Sequence, residues 1–191
     1  MELKTITFVK SVADNNLLET DLSEIAIVGK SNVGKSSLIN MLANNSKLAR
    51  SSKDPGRTRL INYFNFDDKF LLVDLPGYGF AKVSKKEKEK WGVILDNYLK
   101  ESKNLKHVFM LIDIRHGAGE NDITMIDYLT HYGIPFTVIA TKADKVSRNE
   151  YKKLLTDISI ETKVPTGNII ISSSEKKLGR KEILDRVEQV I

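Results

Sequence analysis

The 191-residue sequence contains no cysteine, which excludes disulfides, thiol catalysis and Cys-ligated zinc together. Imidazole is nearly as scarce: His107, His116 and His131 are the whole supply, so zinc chemistry is not expected. Proline stops at four residues and aromatics at 7%. No low-complexity linker or internal repeat appears, so one domain is the economical reading. No uninterrupted apolar run reaches the roughly 18 residues that a membrane-spanning helix needs, and Met1 to Lys10 lacks the apolar stretch of a signal peptide. A cytoplasmic protein without a membrane partner is therefore expected. What is present is an ordinary globular composition, 41% hydrophobic and 29% charged, with 30 Lys+Arg against 25 Asp+Glu for a net charge of +5.

Apolar runs alternate with helical patterns along the chain, the signature of βαβ units around a parallel sheet. Six strands are expected at Glu24–Val28, Leu60–Phe66, Phe70–Asp74, His107–Asp113, Pro135–Ala140 and Asn168–Ser172, with Ile6–Val12 a candidate edge addition. Helical patterns fall at Lys35–Asn44, Ser84–Lys100, Asn121–His131, Asn149–Thr162 and Gly179–Val190. Ser84 followed by Glu87 is a capping box at the start of the second. Ser46–Arg59 and Gly77–Val83 lack periodicity and are expected to be functional loops.

Directly after the first of these strands comes Gly29-Lys30-Ser31-Asn32-Val33-Gly34-Lys35-Ser36-Ser37, then the helix-compatible Leu38-Ile39-Asn40-Met41. This is G-x-x-x-x-G-K-S in the strand–loop–helix setting of a phosphate-binding loop. Gly29 and Gly34 let amide N–H groups converge on phosphate oxygens at a helix N-terminus. Lys35 is expected to bridge the β- and γ-phosphates, and the Ser36 hydroxyl to ligate Mg²⁺. The strand Phe70-Leu71-Leu72-Val73 runs into Asp74-Leu75-Pro76-Gly77. Alone, D-x-x-G is a turn after a strand. About 40 residues after a phosphate loop, it places Asp74 to hold a Mg²⁺-bound water and the Gly77 N–H to sense the γ-phosphate.

The strand at 136–140 leads into Thr141-Lys142-Ala143-Asp144, a T-K-x-D form of the guanine-reading N-K-x-D. A carboxylate at 144 accepts both guanine N1–H and the 2-amino group, donors that adenine lacks there, so ATP is excluded by unpaired polarity. The Lys142 stem is expected to lie along the base. Thr141, in place of Asn, retains one loop-tethering hydrogen bond. After Ile169-Ile170-Ile171, Ser173-Ser174-Glu175 stand where a backbone N–H meets guanine O6, although polar residues before a helix also serve as caps.

With these motifs in this order, the chain resembles the EngB (YihA/YsxC) family of bacterial ribosome-assembly GTPases, within the TrmE-Era-EngA-EngB-septin-like superfamily. The narrower likeness rests on the phosphate loop, Pro55-Gly56-Arg57-Thr58, Asp74-Leu75-Pro76-Gly77-Tyr78-Gly79-Phe80-Ala81, Ile112-Asp113-Ile114-Arg115-His116, Tyr132-Gly133-Ile134-Pro135 and Ala140-Thr141-Lys142-Ala143-Asp144-Lys145. It implies a three-layer α/β Ras-like P-loop NTPase fold, a mostly parallel six-stranded sheet with helices on both faces. It also implies residues 24–191 as one G domain with 1–23 packing on it. GTP and GDP binding, Mg²⁺ and hydrolysis follow from the likeness, as do action on the large ribosomal subunit and its RNA, a need in cell division and septation, and a monomer. Thr58 becomes the switch I threonine that completes the Mg²⁺ shell, flanked by Gly56 and Arg57 at the nucleotide, and catalysis falls to Lys35, Thr58 and Gly77. The residue after Gly77 is Tyr78, where Ras-type enzymes carry a water-orienting glutamine, so slow intrinsic hydrolysis is expected. Related GTPases with Asn at the position of Asn32 use K⁺; a loop-closing hydrogen bond to switch I is the equal alternative.

The charge is unevenly placed. From 47 to 59 five basic residues (Lys47, Arg50, Lys53, Arg57, Arg59) face Asp54 alone, net +4, and from 82 to 90 Lys82, Lys85, Lys86, Lys88 and Lys90 face Glu87 and Glu89, net +3. The rest of the chain sums to −2. A charge run is often only a solvated helix face, but concentration beside the expected switch loops favours ribosomal RNA contact gated by nucleotide. A nucleotide-gated ribosome-binding module with incidental hydrolysis is the second reading. An ATP-dependent enzyme is disfavoured by Asp144, and a catalytic His116 by the absence of any need for imidazole.

Overall fold

The computed structural model describes residues 1, 3–13, 17–49, 60–78 and 85–191, with main chain alone at 85–91. Among these, seven strands form one sheet: β1 (Ile6–Val12), β2 (Ser23–Gly29), β3 (Ile61–Phe66), β4 (Phe70–Asp74), β5 (Leu105–Asp113), β6 (Phe136–Thr141) and β7 (Ile169–Ile171), in the order β1-β3-β4-β2-β5-β6-β7. The β2–β4, β2–β5, β5–β6 and β6–β7 pairs are parallel, and the β1–β3 and β3–β4 pairs antiparallel. Helices α1 (Lys35–Ala43), α2 (Lys85–Glu101), α3 (Glu120–His131), α4 (Tyr151–Thr162) and α5 (Arg180–Val190), with short 3-10 turns at Ala143–Lys145, Arg148–Glu150 and Thr166–Asn168, complete the described elements.

The sheet thus has seven strands rather than six, the seventh being the candidate edge addition, which forms β1 at Ile6–Val12. β1 is added at the edge, and its pattern is weak because only Val12 of its seven residues is buried. A strand with one neighbour and one wet face shows little hydrophobic alternation. The predicted cap at Ser84 lies outside the described residues, as does the Glu87 side chain.

The central strand β2 is nearly continuous in apolar residues because both its faces are covered. Its alternation still sorts the two faces. Ile25 and Ile27 pack with Leu38, Ile39 and Leu42 of α1 and Ile183 and Val187 of α5, whereas Ala26 and Val28 face Ile94 and Leu95 of α2, Ile126 and Leu129 of α3 and Ile158 of α4. Helices therefore cover both faces in three layers. Parallel strands ending on one edge place the loops after β2, β4, β5, β6 and β7 together, which is where an open α/β sheet builds its site.

Candidate nucleotide site

The loop after β2 is shaped by close packing at its start and a left-handed turn at its end. A Cβ on Gly29 would lie 2.9 Å from Val33 Cγ1 and 3.0 Å from the Leu111 carbonyl oxygen, so the strand exit has no room for a side chain. Gly34, at φ 117°, is the N-cap of α1 in a conformation that disfavours L-residues. Val33 is buried between them, Lys30, Asn32 and Ser37 are exposed, and Ser31, Lys35 and Ser36 are half-buried.

The loop after β4 lies directly on this one. The Tyr78 carbonyl accepts from the Ser31 N–H at 2.9 Å and the Ser31 hydroxyl at 3.2 Å, while the Tyr78 N–H donates to the Gly29 carbonyl at 3.4 Å. A Cβ on Gly77 would stand 3.0 Å from Lys35 Nζ and 3.3 Å from both the Gly29 oxygen and the Ser31 nitrogen. Lys35 Nζ is 3.9 Å from Asp74 Oδ1. Burial raises the Asp74 carboxyl above its ordinary range, opposed by the Lys35 charge and a hydrogen bond from Asn62. Leu75 and Pro76 are buried, so what they offer the site is main chain.

Two residues of β6 and its exit join the phosphate loop to the far side of the site. The Thr141 hydroxyl lies 2.8 Å from the Val33 carbonyl oxygen and 3.1 Å from that of Ile112. Lys142 adopts a left-handed φ of 60° and donates to the carbonyl of Asn32, itself at φ 62°, at 2.7 Å. Non-glycine residues at positive φ are uncommon, and two facing each other mark a place where surroundings override backbone preference.

Lys142 Nζ also meets Asp113 Oδ2 at 3.0 Å. Asp113 is gripped from its other side by Arg115, whose Nε and Nη2 donate at 2.9 and 2.7 Å and whose N–H donates at 3.1 Å. Burial pushes the Asp113 carboxyl up, but the hydrogen bonds from Arg115 and Lys142 outweigh it and hold the acid well below the usual carboxylate range. Asp113 entered the sequence reading only as part of a family motif. Its pairing with Lys142 spans 29 residues of chain, and no local pattern announces it. His116 is exposed, its N–H bonded to the Asp113 carbonyl at 3.0 Å.

Asp144 is oriented by Ser173, whose hydroxyl donates to Oδ1 at 2.6 Å, and by Lys145, 3.0 Å from Oδ2. The Ser173 bond, ahead of that from Lys145, lowers its carboxyl to about 2, so it is an anion at any ordinary pH. Ser173 is itself 1% exposed and pinned by reciprocal backbone bonds with Leu178 at 3.2 and 3.0 Å. Glu175 turns outward to Lys145 at 3.3 Å, and buried Ala143 bonds to the Ser172 carbonyl at 3.1 Å. The structure thus brings together every sequence-predicted segment except Gly56, Arg57 and Thr58, which lie outside the described residues. Most of the two basic stretches lies outside them as well. Among the described residues no helix is long and apolar enough to cross a membrane.

Comparison with known proteins identifies the family and the fold. Residues 24–142 match the family described as a 50S ribosome-binding GTPase. The chain is 44% identical over 190 residues to a probable GTP-binding protein EngB of Thermoanaerobacter pseudethanolicus, covering 99% of each protein. It is 45% identical over 172 residues to a probable EngB of Streptococcus pneumoniae strain JJA, covering 88% of this chain and 87% of that one. Among solved structures, the fold matches a probable EngB at a TM-score of 0.73, with 24% identity over 87% of this chain and 97% of the other. It also matches Era crystallised with MgGDPNP and a fragment of 16S ribosomal RNA, at a TM-score of 0.67 and 24% identity, covering 88% of this chain and 56% of that one. The chain belongs to the EngB family of P-loop GTP-binding proteins.

Proposed function

We propose that this protein is a Mg²⁺-dependent GTPase with slow intrinsic turnover that acts as a switch, as a monomer in the cytoplasm, during assembly of the large ribosomal subunit, and that normal division and septation depend on it. The observation that carries the reading is the position of Lys35. Its amino group stands beside Asp74 and Gly77 on a loop that Thr141 and Lys142 tie to the residues facing the base. One nucleotide can then be gripped at both ends by a single rigid unit.

In this reading the amides of 29–37 and Lys35 receive the phosphates, the Gly77 N–H reads the γ-phosphate, and Asp144 accepts the guanine donors, with the Lys142 stem along the base and Ser173, Ser174 and Glu175 in the loop at O6. Mg²⁺ fits on one structural ground: Asp74 Oδ1 is buried and has no hydrogen-bond partner among the described residues, which suits an oxygen that meets a metal-bound water. Ser36, Thr58 and, through water, Asp74 would hold the ion, which when bound neutralises phosphate charge as the γ-phosphoryl leaves. The phenol of Tyr78 points to Asp122 at 2.8 Å, so the side chain at the position directly after Gly77 is not offered to an attacking water, which supports slow turnover and stimulation in trans.

The decisive measurement is GTP hydrolysis by the purified chain alone and with large ribosomal subunits, alongside co-sedimentation in GTP, GDP and no nucleotide. Slow hydrolysis accelerated by the subunits, with nucleotide-dependent binding, is expected. Turnover near that of a stimulated Ras-type enzyme in the chain alone overturns the kinetic part, and equal sedimentation in all three states overturns the switch. Charge reversal of Lys82, Lys85 and Lys86 should abolish salt-sensitive ribosome binding while leaving GTP affinity intact. A faster rate in KCl than in NaCl would assign Asn32 a K⁺; equal rates leave it a loop-closing role.

A further inference from the structure

The side chain at position 78 enters the core instead of the site. Its ring packs against the core cluster of the α2–α4 face, and its hydroxyl donates to Asp122 Oδ1 at 2.8 Å, with Met110 Sδ at 3.4 Å on the other side. Burial, ahead of the neighbouring Asp122 charge and hydrogen bond, drives the phenol far above its ordinary pKa, so it remains a donor. Asp122 is 6% exposed and divides its two oxygens: Oδ1 takes the phenol, and Oδ2 takes the Gly119 N–H at 2.9 Å, closing the first turn of α3.

Position 78 is thus anchored three ways. Its carbonyl and N–H are fixed to Ser31 and Gly29 of the phosphate loop, and its side chain to the N-terminus of α3. Gly77, one residue earlier, lies close to Lys35: the place of a Cβ on it is 3.0 Å from Lys35 Nζ and 3.3 Å from the Gly29 oxygen and the Ser31 nitrogen. The tie to Asp122 crosses 44 residues, and a donor to a buried carboxylate is among the stronger hydrogen bonds.

We propose that Tyr78 is a positioning residue for the γ-phosphate contact: its phenol, held by Asp122, sets the main chain of Gly77 against Lys35. This rests on the GTP reading above and deepens it, giving position 78 a role that needs no contact with water or nucleotide. A γ-phosphate that draws on the Gly77 N–H is then sensed at α3 through one hydrogen bond.

The test uses the full chain and three proteins: wild type, Tyr78→Phe and Asp122→Asn. Phe keeps the ring and deletes the donor. Asn can still accept from Gly119 while presenting an amide to the phenol, so a weaker neutral bond replaces the charged one. Affinities for GDP and for a non-hydrolysable GTP analogue, and kcat with GTP, are measured on each. Tyr78→Phe is expected to leave GDP affinity within about twofold and to lower both analogue affinity and kcat about tenfold, the scale of one charge-assisted hydrogen bond, with Asp122→Asn intermediate. Equal losses for GDP and the analogue, or no loss in either variant, overturn the proposal. If Tyr78→Phe does not fold, Asp122→Asn decides alone: it must lower the analogue-to-GDP affinity ratio, and an unchanged ratio overturns the proposal. Wild-type protein that binds no guanine nucleotide would instead overturn the reading on which it rests.

Discussion

The Thr141 hydroxyl reaches across the site to the Val33 carbonyl oxygen, 2.8 Å away and 108 positions earlier in the chain. One side-chain oxygen on β6 thereby holds the phosphate loop in register with the segment that carries Asp144. Thr141→Val keeps the shape and removes the donor. We expect a loss of about 1 kcal/mol of stability, a fall of about 2–4 °C in the unfolding midpoint, and an equal drop in affinity for GDP and GTP. Calorimetry with and without nucleotide checks all three; an affinity loss for GTP alone would contradict the tether.

Asp113→Asn should act through Lys142. The amide cannot accept the fork of Arg115 and the Lys142 ammonium together, leaving Lys142 with the Asn32 carbonyl as its remaining partner at 2.7 Å. Affinity for GDP and GTP should fall together, by about three- to tenfold for one charge-assisted contact, with kcat at saturation unchanged. Nucleotide titration against single-turnover hydrolysis separates the two, and a kcat effect would place Asp113 nearer the chemistry than the geometry does.

Ser173→Ala should release the Asp144 carboxylate. Because the Ser173 bond leads the forces lowering that carboxyl to about 2 from 3.8, its titration should move upward in the variant. A depressed acid adds stability above pH 3.8 that disappears as pH falls through about 2, and the variant should lose less over this window. Carboxyl NMR titration follows the shift, and guanine affinity should fall with the loss of orientation.

His107 supplies a pH response at the opposite end of the sheet. Burial, and after it the charge of Arg186, lowers its pKa from 6.5 to about 4, and its Nδ1 has no hydrogen-bond partner among the described residues. The native state therefore prefers neutral imidazole. Stability from this preference is complete above pH 6.5 and lost as pH falls toward 4, where the unfolded chain binds the proton first. Chemical denaturation of wild type and His107→Gln across that range should show the wild type losing more.

Gly29→Ala should cost about 1–3 kcal/mol through overpacking, since the new methyl meets the fixed Leu111 carbonyl oxygen at 3.0 Å and Val33 Cγ1 at 2.9 Å. Denaturant unfolding gives the value directly, and a neutral result would mean that β5 yields there.

Short-range chemistry was readable in the residues themselves. Gly29 to Ser36 form a contiguous motif, and Lys142 and Asp144 sit on one turn, so spacing alone locates groups that the backbone must bring within reach. Strand β4 could be bounded at Phe70–Asp74 from its apolar run, because a strand covered on both faces must be apolar throughout. β1 was blurred for the converse reason, with one buried residue in seven leaving little alternation to read.

The sequence by itself determined that the chain carries the groups of a GTP-binding family, because the phosphate-loop and T-K-x-D motifs are residue types at fixed local spacings. Tertiary structure alone decided how those groups are held. Asp113 against Lys142, Ser173 against Asp144, Thr141 against Val33 and Tyr78 against Asp122 join positions 29 to 108 residues apart. Such pairs leave no periodicity in the chain, since the folded sheet, not the spacing between them, brings their atoms within hydrogen-bond distance.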